Sequence, residues 1–244
     1  MEKTINTLVN KAGLPVRSLI IRSVFSGLFI AFGGLGSQIF NTLTGTSYLG
    51  AFVFPVGLIS VILTGSELFT GNCLMVIPLA DNKLGPKRLL KAWVIVYAGN
   101  YIGSLTAAFM VRISGLMTMA DGRLGALMIG SAVAKTSAPA GILFTKGILC
   151  NFLVCLAVYC AIQADSTIGK IFSAYFPVML FVLCGFEHSI ANMYFISLGQ
   201  LSGEIGITGL FRNLIPVTAG NIIGGVLFAL GIYCAYPKER GKTP

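Results

Sequence analysis

GSELFTGN at residues 65–72 returns as GFEHSIAN at residues 185–192. Gly65, Glu67 and Asn72 recur as Gly185, Glu187 and Asn192, an offset of 120 (187 − 67). AGNYIG at residues 98–103 meets AGNIIG at residues 219–224, offset by 121 (219 − 98). SGLF at residues 26–29 meets KGIL at residues 146–149, pairing Gly27 with Gly147. Glycine matches alone carry little, because the chain has 30 of them. Glutamates and asparagines repeated at one offset inside apolar sequence carry much more.

The surrounding sequence is that of a membrane protein. The 244 residues are 55% hydrophobic and 10% charged, with mean hydropathy +0.86, whereas soluble domains carry roughly 25% charged residues. Residues 23–47, 92–111, 147–164 and 213–237 are uncharged stretches near the ~20 residues that cross a bilayer as a helix. Residues 48–80 and 171–203 are long apolar stretches with one acid each, Glu67 and Glu187. That predicts six transmembrane helices, three in each copy. An odd number of crossings inverts the second copy, so a pseudo-twofold axis lies in the membrane plane and a pathway runs between the repeats. Lys11, Arg17 and Arg22 interrupt any early apolar region, which argues against a secretory signal.

The net charge of +9 is unevenly placed. With a cytoplasmic N-terminus, Lys3, Lys11, Arg17, Arg22, Lys83, Lys87, Arg88, Lys91, Lys170, Lys238, Arg240 and Lys242 fall inside. Only Arg112, Arg123, Lys135, Lys146 and Arg212 fall outside. This positive-inside asymmetry puts both termini in the cytoplasm of a plasma-membrane protein. It makes membrane lipid, rather than nucleic acid, the partner of the basic charge. The six cysteines lie in apolar segments without metal-ligand spacing, so neither a metal nor another cofactor is expected.

The second span of each half gathers polar residues at its centre: Thr70, Gly71 and Asn72 in one, His188, Ser189 and Asn192 in the other. Non-helical backbone is tolerated at membrane depth only inside protein or along a cavity. Breaks are therefore expected near residues 68–72 and 187–192, with helix-to-helix hydrogen bonding as the plainer alternative. Glu67, Asn72, Glu187 and Asn192 are the expected supports, the glutamates accepting backbone N–H groups that would otherwise be orphaned. His188 is the only histidine, and its counterpart is Leu68. An ionisable group inside a membrane points to a pathway, although a neutral imidazole bonded to Thr70 would serve structure alone. No second histidine, acid cluster or cysteine dyad accompanies it, so no enzyme activity and no catalytic residues are expected.

Ile5, Leu8, Val9 and Ala12 form an apolar stripe with Lys3, Asn6 and Asn10 off it. Residues 1–16 thus read as an amphipathic helix on the inner membrane surface, an anchor or a gate of the inner mouth. Residues 17–237 form the channel domain, with repeats at about 17–115 and 136–237, and residues 238–244 a cytoplasmic tail. Residues 114–139 read as the longest loop.

Five strings together resemble the formate–nitrite transporter family: GSELFTGN (65–72), KAWVIVYAGNYIGS (91–104), KGILCNFLVCLAVY (146–159), GFEHSIANMY (185–194) and NLIPVTAGNIIGG (213–225). They touch every span but the first. The resemblance implies an aquaporin-like protomer of six helices, a homopentamer with a pore in each protomer, and short monovalent weak-acid anions as substrates: formate, nitrite or hydrosulfide. It puts His188, Thr70, Lys135 and Asn151 on the substrate pathway. It puts Leu68, Val154 and Phe181 at an inner constriction, and Phe54, Leu58 and Asn221 at an outer one.

A bare anion in low dielectric costs tens of kcal/mol in the idealised limit. Protonating an acid of pKa about 4 at pH 7 costs only about 4 kcal/mol. Passage as the neutral acid past His188 is therefore the expected mechanism, with Lys135 concentrating the anion. The alternatives are an electrogenic anion channel without protonation, or a small neutral-solute or weak-base channel.

Overall fold

The computed structural model describes residues 1–236; the expected tail, residues 238–244, lies outside them, as does residue 237. In chain order the helices are α1 (Glu2–Ala12), α2 (Val16–Thr44), α3 (Val56–Thr64), α4 (Phe69–Asn72), α5 (Val76–Ala80), α6 (Pro86–Ile113), α7 (Arg123–Ser137), α8 (Ala140–Gln163), α9 (Thr167–Leu183), α10 (Ser189–Leu201) and α11 (Ile207–Ala235). Among the described residues α2, α6, α8 and α11 are each long and apolar enough to cross a membrane alone. The fifth traverse is the α3–α5 segment, whose two arms bend by 59°. The sixth is α9 with α10, its counterpart in the other repeat. The fold is an all-α membrane fold of six traverses in two inverted three-helix repeats, aquaporin-like in arrangement.

Each interrupted traverse stops on a glycine. Gly65 and Gly185 adopt φ of +66° and +64°, a left-handed conformation that costs other residues a Cβ clash. The chain then runs extended to Leu68 (φ −110°, ψ 126°) and His188 (φ −107°, ψ 115°), where helix resumes. The breaks occupy residues 65–68 and 184–188, a few positions earlier than expected. Thr70, Asn72 and Asn192 therefore sit in resumed helix.

The long helices pair through small residues, α2 with α6 and α8 with α11. A Cβ on Gly103 would strike the Val24 carbonyl, and one on Gly224 the Ile148 carbonyl, so backbones meet directly, as in close membrane helix packing. These contacts also correct the register of the first span. Val24 matches Ile148, an offset of 124 (148 − 24). Ser23 therefore corresponds to Gly147, and Gly27 corresponds to Asn151 rather than to Gly147.

The duplication also reaches further than residues 17–115 and 136–237. At the same offset Lys11 and Pro15 match Lys135 and Pro139, so α1 and α7 are counterparts. Residues 114–139, read as a loop, contain α7, which buries Leu124, Met128 and Ala132 at a four-residue spacing. That stripe was present in the sequence but masked by glycines. Helix α1 packs on the protein rather than presenting its apolar stripe to lipid. Its stripe is buried within the protein (Ile5 0% and Leu8 1% exposed), with α5, α6 and α8 as neighbours.

Candidate functional site

Interrupting a helix at membrane depth frees backbone groups that must find partners. One asparagine serves each break. Asn100 on α6 accepts from the Phe69 N–H (3.0 Å) and donates to the carbonyls of Glu67 (3.0 Å) and Ser23 (2.8 Å). Asn221 on α11 accepts from the Ser189 N–H (2.9 Å) and donates to the carbonyls of Glu187 (2.9 Å) and Gly147 (2.8 Å). Asn221, assigned above to a constriction, is thus a fully buried brace. The repeated AGN triplet was its signal. Asn151 donates to the Asn221 carbonyl (2.6 Å) and so stiffens the second brace.

The glutamate carboxylates do not accept backbone N–H groups, contrary to the sequence expectation. Glu187 takes both oxygens to Lys135 Nζ (3.0 and 2.9 Å) and accepts from Asn192 Nδ2 (2.6 Å). Glu67 accepts from Asn72 Nδ2 (3.0 Å) and has Lys11 Nζ 3.2 Å away as an ion pair. Each half thus holds one Lys–Glu–Asn triad. Lys11 escaped the sequence reading, and the recurrence of Lys-x-x-x-Pro at residues 11–15 and 135–139 would have found it. Pairing with an acid lets charges sit at low solvent exposure, where a lone charge would be prohibitive.

The two resumed helices meet at the centre. His188 Nε2 lies 2.8 Å from Thr70 Oγ1, and Nδ1 accepts the Ala191 N–H (3.2 Å). An acceptor Nδ1 requires the proton on Nε2 in the neutral ring. Nε2–H therefore donates to Thr70, leaving the threonine hydroxyl proton free to point elsewhere. The imidazole also caps the N-terminus of α10, whose dipole favours negative charge nearby.

Two cavities approach this centre. The one on the α1 side is about 360 Å³ and is lined by Lys3, Lys11, Lys170, Leu58 and Leu68, among others. The one on the α7 side is about 160 Å³ and includes Lys135, Glu187, Phe54, Phe181 and His188. Between them is a gap of only about 10 Å³ touched by Ile30, Leu58, Leu68, Val154, Phe181 and His188, room for one water at most.

This placement corrects the expected constrictions. Phe181 packs edge-on against Phe54, ring centres 5.7 Å apart, and both face the α7-side cavity. Leu58 faces the α1-side cavity with Leu68. Phe181 and Leu58 thus exchange sides. Residue order along each traverse gives no warning of this, since Phe181 precedes His188 as Phe54 precedes Leu68. Here Val182, Gly185, Phe186 and Glu187 line the α7-side cavity before the chain returns to His188, so α9 reaches past the centre first. Val154 lies at the gap itself.

A family profile described as "Formate/nitrite transporter" matches residues 1–235. The chain belongs to the formate/nitrite transporter family. It is 38% identical to the "Probable formate transporter" of Methanothermobacter thermautotrophicus, over 94% of this chain and 92% of the relative. It is 36% identical to the "Nitrite transporter NirC" of Salmonella typhimurium, over 78% and 72%. Among solved structures, a "Pentameric formate channel with formate bound" superposes with TM-score 0.81 at 30% identity, over 90% of this chain and 96% of that one. Members of this family are membrane channels and transporters rather than enzymes, and this chain is accordingly an integral membrane transport protein.

Proposed function

We propose that this transporter passes small monovalent weak-acid anions (formate, nitrite or hydrosulfide) as their neutral acids past His188. It would do so as a homopentamer in a plasma membrane with both termini cytoplasmic. The observation that carries the reading is the neutral, doubly hydrogen-bonded His188 at an apolar gap between two lysine-bearing cavities. The names of the relatives support the substrate class, the pentameric likeness supports the assembly, and the basic residues clustered at one face support the orientation.

The steps follow from the side chains. An anion enters a cavity where a lysine shares its charge with a glutamate; the pair attracts without trapping. The α1-side cavity carries three lysines against Asp165 at its rim, and so draws anions more strongly. At the gap the Phe54–Phe181 and Leu58–Leu68 walls offer no counter-charge, so a bare anion would bear the desolvation cost. His188 Nε2–H is committed to Thr70, so the neutralising proton comes from water on the entry side. The Thr70 hydroxyl then donates to the acid's oxygen or sulfur as it crosses.

Flux of the three anions through purified protein in liposomes tests this. Formate flux is expected to rise as external pH falls from 8 to 5, and His188→Ala to lower it at both pH values, because the Thr70 hydroxyl loses the Nε2–H that orients it. Equal flux at both pH values, with the variant matching wild type, would sink the proposal. Electrogenic current without proton movement would instead favour passage as the bare anion.

A further inference from the structure

We propose that the groove between the α1–α2 turn and the first turns of α6 binds the phosphodiester headgroup of an anionic phospholipid. The groove holds about 190 Å³ and lies away from the substrate path. Leu14, Val16, Leu19 and Ala92 give it an apolar floor, and Arg88 and Lys91 give it two cations. Those two residues stand three apart on α6 and so share a face.

The guanidinium is held in place. Arg88 Nε donates to the Ala12 carbonyl at the end of α1 (3.1 Å). A Cβ on Gly13 would lie 2.5 Å from Arg88 Nη2, so the guanidinium packs closely on the α1–α2 turn. Neither Arg88 nor Lys91 belongs to an ion pair among the described residues, where the pairs are Lys3–Asp165, Lys11–Glu67, Lys83–Asp81 and Lys135–Glu187. No carboxylate lines the groove.

The pseudo-twofold supplies a control within the molecule. Arg88 corresponds to Gly209 and Lys91 to Arg212, at an offset of 121 (209 − 88). There the space is filled: Ile205 Cγ2 would lie 2.6 Å from a Cβ on Gly209, with Thr136 beside it. The fold therefore does not require an open, doubly cationic groove at this position; only one face has it.

Charge complementarity selects a phosphate, and the apolar surroundings select one carrying acyl chains. Val16 and Ile20 (each 43% exposed), Leu90 (56%) and Val94 (68%) flank the groove with exposed apolar surface. Basic residues near a membrane surface each strengthen anionic-lipid binding by roughly fivefold.

Native mass spectrometry after reconstitution in an equal mixture of phosphatidylglycerol and phosphatidylcholine tests the proposal. Wild type should retain phosphatidylglycerol selectively. Lys91→Gln, which disturbs no intraprotein bond, should weaken retention by roughly fivefold, and Arg88→Gln with Lys91→Gln by roughly thirtyfold. Arg212→Gln at the filled counterpart should retain lipid as wild type does. Equal retention in Lys91→Gln and wild type overturns the proposal. Displacement of the lipid by millimolar inorganic phosphate assigns the groove to a soluble phosphate and overturns it too. Loss of the oligomer in Lys91→Gln with unchanged lipid retention gives the groove to a neighbouring protomer, with the same consequence.

Discussion

The two helix breaks share a skeleton and differ in their inner faces. Both have a left-handed glycine, a bracing asparagine from the last helix of the repeat, and a Lys–Glu–Asn triad. In the first, Leu68 faces the gap, and Phe69 stands edge-on to Trp93 and Tyr97 with ring centres 5.8 and 4.9 Å away. Trp93 Nε1 also donates to the Asn72 carbonyl (3.0 Å). In the second, His188 faces the gap, Ser189 replaces Phe69, and Asn192 donates to Asn213 (2.8 Å), which donates to the Lys135 carbonyl (2.9 Å). Gly27 against the Asn100 carbonyl becomes Asn151 donating to the Asn221 carbonyl. The shared parts solve the problem common to both halves, a broken helix in lipid. The unshared parts put His188 opposite Leu68 in one half and Thr70 opposite Ile190 in the other, and transport chemistry belongs where those two polar groups meet.

Four perturbations break or sharpen this comparison, in falling order of effect. Asn100→Leu and Asn221→Leu should each cost about 4 kcal/mol, since each loses three hydrogen bonds and orphans a buried N–H. Thermal unfolding in detergent should show the two losses to be similar, and a large inequality would mean that the braces are not equivalent. His188→Leu makes the second break resemble the first. It should cost about 2 kcal/mol, since the Ala191 N–H loses its cap and Thr70 its partner, and lower formate flux by about 100-fold, the scale of one lost preorganised donor at a dry site.

Lys135→Ala should cost about 2 kcal/mol and Lys11→Ala about 1 kcal/mol, because Lys135 serves both oxygens of its glutamate and Lys11 one. Adding Glu187→Gln to Lys135→Ala should recover most of the loss. The smallest effect belongs to Lys3→Ala. Lys3 hydrogen-bonds Asp165 in the exposed α8–α9 turn (2.7 Å), and that bond, with the ammonium charge, holds the carboxyl below its ordinary 3.8. A lowered carboxyl pKa stabilises above the unfolded value and ceases to do so as pH falls through the folded one. Lys3→Ala should therefore lower Tm slightly at pH 7, and the difference from wild type should start to shrink near pH 3.8 and vanish once pH falls through the lower folded value.

What the sequence made legible follows from how each feature is encoded. Six traverses, the inversion and the two breaks were written in apolar length and in the GxE…N repeat, signals that depend only on local composition. His188 beside Thr70 was legible as a residue pair but not as a hydrogen bond, because two distant traverses must meet to make it. The bracing asparagines and Lys11 were written in repeats as plain as the others, AGN and Lys-x-x-x-Pro. Their roles depend on which backbone carbonyls a break exposes, and no spacing reports that. The exchange of Phe181 and Leu58 was illegible for a related reason: a traverse that overshoots the centre and returns cannot be told from a straight one by residue order. Helix α7 was missed because its buried stripe of Leu124, Met128 and Ala132 is narrow and interspersed with small residues.

The central claim is that the substrate crosses the His188 gap as a neutral acid. Liposomes holding the purified protein, a pH-sensitive dye and a formate gradient, with the membrane potential clamped at zero, test it most directly. The account predicts one proton carried inward with each formate, and a rate unaltered when the clamped potential is changed. Formate entry that leaves the internal pH constant and responds to the potential would contradict it.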